Sequence, residues 1–265
     1  MTDLAEKEMS KEGFSLILPT CLAADELDLC LKSLIKNSKL IHEYIVLVDP
    51  MPKIGTVNRQ IIDVLNKYKI PYIINNTNLG SYRSWNKGVE YSTKDILAFI
   101  TDDQYFAPEW DISMVKYLRK GRILTSQLVE PGVLKPWRTN ILYWCGASAK
   151  DFNEEKFLRF VKKHKKDKLL KYGFFIPLVI YKKDFIEIGG WPTEDDTQRR
   201  IPNDRLFIRK ALERGYEFYR VGESFSYHFQ ASSWKKGRRK PNLLRRLIWR
   251  IERMSIEREV SEKLY

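Results

Sequence analysis

Residues 95–103 read DILAFITDD: an apolar run from Ile96 to Ile100, then Thr101 and two adjacent carboxylates, Asp102 and Asp103. A short continuous apolar run of this kind predicts a strand buried on both faces. The same design repeats toward the N-terminus. Phe14 to Leu18 (FSLIL), closed by Pro19, reads as one buried strand, Tyr44 to Val48 (YIVLV) as a second that ends at Asp49, and Pro71 to Ile74 as a third. Helical spacing fills the gaps. Asp25 to Asn37 carries Leu27, Leu31, Leu34 and Ile35 on one face, and Val57 to Tyr68 carries Val57, Ile61, Val64 and Leu65. A polar loop, Asn75 to Ser81, then leads into a helix around Tyr82 to Tyr91.

Strand and helix thus alternate four times, which predicts an α/β fold: a mostly parallel sheet covered by helices, with right-handed crossovers. Ligands in such sheets bind beyond the carboxyl ends of the strands. Here those ends carry Pro19 and Thr20, Asp49, the Asn75–Gly80 loop, and Asp102 with Asp103. The second half is less regular. Ile123 to Leu128, Ile141 to Cys145, Phe174 to Tyr181 and Tyr216 to Arg220 read as strands, and Pro202 to Arg214 as a helix closed by Gly215.

Composition narrows the class. The 265 residues are 43% apolar, 13% aromatic and 31% charged, too aromatic for a disordered chain. Three cysteines (Cys21, Cys30, Cys145) with no CxxC pair argue against a disulfide scaffold or a zinc ribbon. Apolar runs such as Phe174 to Tyr181 fall short of the roughly 20 residues of a spanning helix. The polar, acidic segment 1–13 is unlike a signal peptide. The expectation is a reduced, cytoplasmic protein.

Forty-seven Lys and Arg face 34 Asp and Glu, a net charge of +13. Two segments concentrate it: 231–265, with 11 basic and 4 acidic residues, and 156–171 (KFLRFVKKHKKDKLLK), with eight basic residues and one acid. Such fields attract nucleic acid, anionic lipid or a phosphorylated substrate, although a solvated helix face has the same composition.

Two carboxylates at the end of an apolar strand cannot both be buried ionised without a counter-charge. A divalent cation bridging to substrate phosphates supplies one; a solvated turn is the plain alternative. Asp49 is either a helix cap or an acceptor for a base N–H or a ribose hydroxyl. Asn78-Leu79-Gly80 and Asn86-Lys87-Gly88 offer backbone for close approach to a ligand, or an ordinary turn into a helix. No GxGxxG follows the first strand, and no GxxxxGK[ST] is present, which weighs against a dinucleotide oxidoreductase and a P-loop NTPase. His42 and His164 lack partners at metal spacing and read as surface residues.

The chain resembles the family-two inverting glycosyltransferases of GT-A fold from about Phe14 to Ser233. The matching segments are FSLILPT with LKSL, VLVD ending at Asp49, NLGSYRSWNKG (78–88) and DILAFITDDQYFAPEW (95–110), then IGGW (188–191), NDRLFIRKALERGYEFY (203–219) and HFQASS (228–233). The resemblance implies a nucleotide-sugar-binding half (14–110) and an acceptor-binding half (111–233), between an N-terminal extension (1–13) and a tail (234–265). It implies transfer from a nucleotide-diphosphate sugar, UDP-sugar favoured, with Mn²⁺ or Mg²⁺ as cofactor. Asp49 resembles the carboxylate that reads the base. Asp102 and Asp103 resemble the DxD element, with Asp103 the metal ligand and Asp102 nearer the ribose. Pro19, Thr20, Asn78, Gly80, Asn86 and Lys87 complete the donor site, and His228 matches a histidine near metal or diphosphate. Asp204 corresponds to the catalytic base, and Trp191, Glu194, Asp195 and Asn203 fall on the acceptor side. Glu194, Asp195 and Asp196 are also rivals to Asp204, and Trp191 reads equally as a sugar-stacking ring or as core. Two positions depart from the pattern: Asn203 replaces the usual Glu, and Gln104 stands at the third DxD position.

In the tail, Leu243, Leu244, Leu247, Ile248, Ile251 and Met254 share one helical face, with Arg245, Arg246, Arg250 and Arg253 largely opposite and Trp249 at the border. A basic amphipathic helix over 235–254 is the pattern of an interfacial anchor on an anionic membrane, or of a helix docked on protein. The anchor would suit a glycan or lipid-linked acceptor at the inner membrane face. The alternatives are an inactive GT-A-like membrane adaptor and a nucleic-acid-binding protein; no nucleic-acid motif is present, so no nucleic-acid partner is expected.

Overall fold

The computed structural model describes residues 13–134, 139–193 and 203–230. The elements, in chain order, are β1 (Phe14–Thr20), α1 (Ala24–Asn37), β2 (Ile41–Val48), α2 (Arg59–Lys67), β3 (Tyr72–Ile74), α3 (Gly80–Tyr91) and β4 (Ile96–Phe99). They continue with β5 (Gln104–Phe106), α4 (Trp110–Val115), β6 (Arg122–Glu130), β7 (Ile141–Leu142), α5 (Glu154–His164), β8 (Leu169–Lys171), β9 (Leu178–Tyr181), α6 (Lys182–Ile188), α7 (Asn203–Glu213) and β10 (Glu217–His228).

The strands join one sheet in the order β3-β2-β1-β4-β9-β6-β10-β5, with β7 on β6 and β8 on β10. β1, β2, β3 and β4 are parallel, as the repeated strand–helix pattern predicts. Beyond them the expectation of a mostly parallel sheet holds only in part: β10 and β7 are parallel to β6, but β9 is antiparallel to both β4 and β6, and β10 is antiparallel to β5 and β8. The sheet is mixed. The chain reverses over residues 100–103: β5 runs opposite to β4 and pairs antiparallel with β10 at the far end of the strand order.

Alternation along the strands divides the core. Phe14, Leu16 and Leu18 of β1 join Leu27, Leu31, Ile61, Leu65, Trp110 and Met114 beneath α1, α2 and α4. Ile17 points the other way, into a cluster with Trp85, Phe99, Phe185, Trp191 and Phe207 beneath α3, α6 and α7. A third cluster, with Tyr105, Val129, Phe225 and Tyr227, receives Phe157 and Val161 of α5. The basic run at 156–171 is therefore an amphipathic helix followed by a short strand, with lysines outward. The expected strand at 216–220 is the first half of a twelve-residue β10, whose register on β6 shifts between Val221 and Phe225.

No helix among the described residues is long and apolar enough to cross a membrane. The expected C-terminal basic helix, nearly all of the N-terminal extension, and Glu194, Asp195 and Asp196 lie outside the described residues.

Candidate active site

β1, β2, β3, β4, β6 and β10 all run in one direction, so their carboxyl ends share one edge of the sheet. Thr20 closes β1, Asp49 follows β2, Asn75 follows β3, Asp102 and Asp103 follow β4, Glu130 closes β6, and His228 closes β10. The edge is stitched together. The backbone N–H of Asp49 donates to Thr20 O at 2.9 Å, Asn75 N–H donates to Val48 O at 2.9 Å, and the Thr20 hydroxyl donates to Asp102 Oδ2 at 2.7 Å.

Asp49 is 4% exposed. Its Oδ1 accepts from Asn75 Nδ2 at 2.8 Å and from Ser84 Oγ at 3.3 Å, and its Oδ2 accepts from Gly80 N–H at 2.8 Å. Lys87 Nζ donates to Asn75 Oδ1 at 2.7 Å, which fixes the amide that holds Asp49. Gly80 sits at φ +72°, in the region that glycine tolerates, and so aims its N–H at Asp49 from the first position of α3. Asn78 Nδ2 donates to Pro50 O at 2.8 Å. Pro19 lies within β1, paired with Leu47.

The second group surrounds His228. Its Nε2 is 3.5 Å from Asp103 Oδ2, and its Nδ1 is 2.9 Å from Glu130 Oε1. Burial works to lower the imidazole pKa, but the charge of Asp103, the hydrogen bonds to Asp103 and Glu130 and the charge of Glu130 outweigh it and raise it to about 10. The ring is then an imidazolium between two acids. Phe229 N–H donates to Asp103 O at 3.0 Å, and Asn140 Nδ2 donates to Glu130 Oε2 at 2.9 Å. Glu130 was not foreseen; the signal was an acid ending the apolar strand run ILTSQLVE, the position that drew attention to Asp49 and Asp102. Gln104, at the third DxD position, turns away from an acid's role and donates from Nε2 to Ile176 O at 3.2 Å.

Asn86 and Trp191 serve a different purpose from the one expected. Trp191 is 1% exposed, its ring 4.5 Å from Phe207 and 5.3 Å from Trp85, so the indole occupies the core alternative and not a sugar-stacking position. Asn86 donates from Nδ2 to Trp191 O at 2.7 Å and accepts Trp191 N–H on Oδ1 at 2.9 Å. Its amide is spent on the backbone of Trp191, just beyond α6.

Asn203 and Asp204 open α7. Burial pushes the Asp204 carboxyl up to about 6 from an ordinary 3.8, against the lowering effect of the Arg205 N–H, which donates to Oδ1 at 2.8 Å, and of the Arg205 charge. α7 is anchored by Phe207 against Trp191, Trp191 packs on Trp85, and Trp85 Nε1 donates to Ile100 O at 3.2 Å, two residues before Asp102. A continuous line of packed rings thus ties the Asp204 helix to the strand end that carries the acid pair.

Once Nε2 of His228 gives up its proton, Asp103 and His228 offer a carboxylate oxygen and an imidazole nitrogen, the donor chemistry of a divalent-cation site. Among the described residues no group of three or more His, Cys, Asp or Glu is arranged to hold a metal unaided. The pair fits a cation that draws further oxygens from a ligand, as Mg²⁺ does with phosphates.

The model of the family described as Glycosyl transferase family 2 matches residues 15–189. The chain belongs to that family. Among solved structures it is similar to "Crystal structure of GalNAc-T7 with UDP, GalNAc and Mn2+", with TM-score 0.56 and 14% identity over 81% of this chain and 43% of that one. It is also similar to S. aureus TarS 1-349 in complex with UDP, with TM-score 0.55 and 13% identity over 84% of this chain and 62% of that one. The same S. aureus protein with UDP-GlcNAc gives TM-score 0.54 and 14% identity over 87% and 60%. At these identities the likeness establishes a GT-A-like fold, and the chain spans about half of the length of these proteins. No curated protein matches the sequence.

Proposed function

We propose that this glycosyltransferase-family chain moves a sugar from a nucleotide-diphosphate sugar, a UDP-sugar by preference, to an acceptor hydroxyl with inversion at the anomeric carbon. The observation that carries the reading is the gathering of Asp49, Asp102, Asp103, Glu130 and His228 along one sheet edge. Asp49 and Asp102, each fixed by hydrogen bonds, present carboxylate oxygens to the hydroxyls and N–H groups of a nucleoside. Lys87 and Asn75 keep Asp49 in place, and Thr20 does the same for Asp102.

Asp103 and His228 would hold Mn²⁺ or Mg²⁺, which when bound neutralises charge on the departing diphosphate. Asp204 takes the proton of the attacking acceptor hydroxyl. A carboxyl with a pKa near 6 is a stronger base than an ordinary Asp and is still ionised at neutral pH. A single displacement from the opposite face needs no protein nucleophile. The acceptor side falls to Asn203 and to Glu194 and Asp195, and the sequence of 235–254 supports a glycan or lipid-linked acceptor met at an anionic membrane face.

The reading is tested by donor turnover. The full chain, with Mn²⁺ and a panel of UDP-sugars, is expected to release UDP, and Asp204→Asn to slow release to an added acceptor by about 10²–10⁴-fold. No turnover of any nucleotide sugar, with or without cation, would overturn it.

A further inference from the structure

Trp144 stands apart from the other tryptophans. Among the described residues, Trp85, Trp110 and Trp191 are at most 2% exposed, whereas Trp144 is 53% exposed. Its neighbours explain why the ring faces water. From Ile141 to Cys145 the chain alternates: Tyr143 stacks on Phe160 of α5 at 4.4 Å and Cys145 is buried, while Leu142 and Trp144 turn outward. Leu142 is 54% exposed, and Val133, across the same segment, is 42% exposed. A single exposed apolar residue is ordinary, but an outward pair with a tryptophan is a surface with a preference.

Its position gives the preference a meaning. Leu142 pairs with Glu130 in the β6–β7 ladder, and Tyr143 N–H donates to Glu130 O at 3.0 Å. Glu130 is the acid that holds His228. The residue after Val133 is tied to the same edge, because Gln230, two residues beyond His228, accepts Leu134 N–H at 2.9 Å. The apolar pair therefore continues the sheet edge that carries the acids, one strand outward from Glu130, on the side of β6 that β9 shares and opposite β10.

We infer that Leu142 and Trp144 form the platform on which a pyranose ring of the acceptor glycan lies, and this rests on the transferase reading above. A pyranose has an apolar C–H face and a rim of hydroxyls. An indole has only two side-chain torsions to fix, so it takes such a face at little entropic cost, and the rim stays in water. Continuity with the acid edge, through the pairing of Leu142 with Glu130, favours a saccharide here over a lipid surface.

The test uses the full chain, Trp144→Ala and Trp144→Phe, with cellotetraose, chitotetraose and maltotetraose as probes. Saturable calorimetric binding of at least one tetrasaccharide by the wild-type chain is expected, about tenfold weaker in Trp144→Ala and restored to within about threefold in Trp144→Phe. Thermal unfolding near the wild-type midpoint checks that the variants fold, since the ring is exposed. Stabilisation by UDP with Mn²⁺ is measured beside it. Its absence in the wild type would count against the transferase reading, whereas its presence with unchanged tetrasaccharide affinity in Trp144→Ala would overturn the platform alone. No tetrasaccharide binding by the wild type would overturn the platform too. So would loss of co-sedimentation with phosphatidylcholine–phosphatidylglycerol vesicles in Trp144→Ala while tetrasaccharide binding persists, which would give the patch to lipid.

Discussion

Asn86 and Trp191, 105 residues apart, hold each other by two hydrogen bonds: the amide of Asn86 donates to the carbonyl of Trp191 and accepts its N–H. One side chain thereby closes a ladder-like pair with a distant backbone and fixes where the chain leaves α6 for α7. Asn86→Ala leaves both backbone groups of a buried residue without these partners. A loss of about 2–3 kcal/mol is expected in urea unfolding. Asn86→Asp should be no better, because it keeps the acceptor and sets a carboxylate against a carbonyl.

Gly88 lies one turn of contact above β1. A Cβ there would stand 2.3 Å from Ile17 Cγ2 and 3.1 Å from Leu47 Cδ2. Gly88→Ala should cost about 1–3 kcal/mol in thermal or urea unfolding, because a β-branched side chain in a buried strand has little room to yield. Ile17→Ala in the same chain should recover part of that loss, as a double-mutant cycle would record.

Asp204 carries a stability cost that its proposed role explains. Its folded pKa, about 6, is raised above the unfolded 3.8, so the protonated form is the one the fold favours. Its contribution is fully present below pH 3.8 and is lost as pH rises through about 6. Asp204→Asn should therefore stabilise the protein at pH 7 by on the order of 1–3 kcal/mol, with the gain shrinking as pH falls from 6 to 4. Transfer activity should show the opposite sign: kcat/KM of the wild type falls as pH drops below about 6, when the base becomes protonated. Unfolding curves and rate profiles across pH 4–8 check both.

His228 owes its elevated pKa to two flanking acids. Glu130→Gln keeps an acceptor for Nδ1 and removes one charge. The His228 midpoint, followed by its imidazole proton resonances, should fall below its wild-type value of about 10. An unchanged midpoint would assign the effect to Asp103 alone.

The parallel half of the fold was legible because β1, β2 and β4 are apolar runs buried on both faces, each ending in a polar residue at the ligand edge. The second half was less so. β10 carries Gly222, Glu223 and Ser224 at its centre, which reads as a turn, yet Gly222 lets the strand pass close to the backbone of α5's exit: a Cβ there would be 2.5 Å from Lys166 O. The lysine-rich 156–171 run hid a helix whose inward face is only Phe157 and Val161. At the site, the acids after β2 and β4 could be picked out one by one, while Glu130 at the end of β6 could not. The pairing of His228 with Glu130 could not, since the two are 98 residues apart and meet only through the β6–β10 register. Nor could the burial of Trp191, which depends on α7 closing over it.

The central claim is that the acids of this sheet edge receive a nucleotide diphosphate. Its most direct measurement is the thermal shift of the full chain with UDP and Mn²⁺, repeated for Asp49→Ala and Asp103→Ala. Binding at about 100 times the dissociation constant stabilises the wild type by roughly 2.7 kcal/mol, and both substitutions are expected to abolish most of that shift. A wild-type melting temperature indifferent to every nucleoside diphosphate, or an equal shift in all three proteins, would contradict the account.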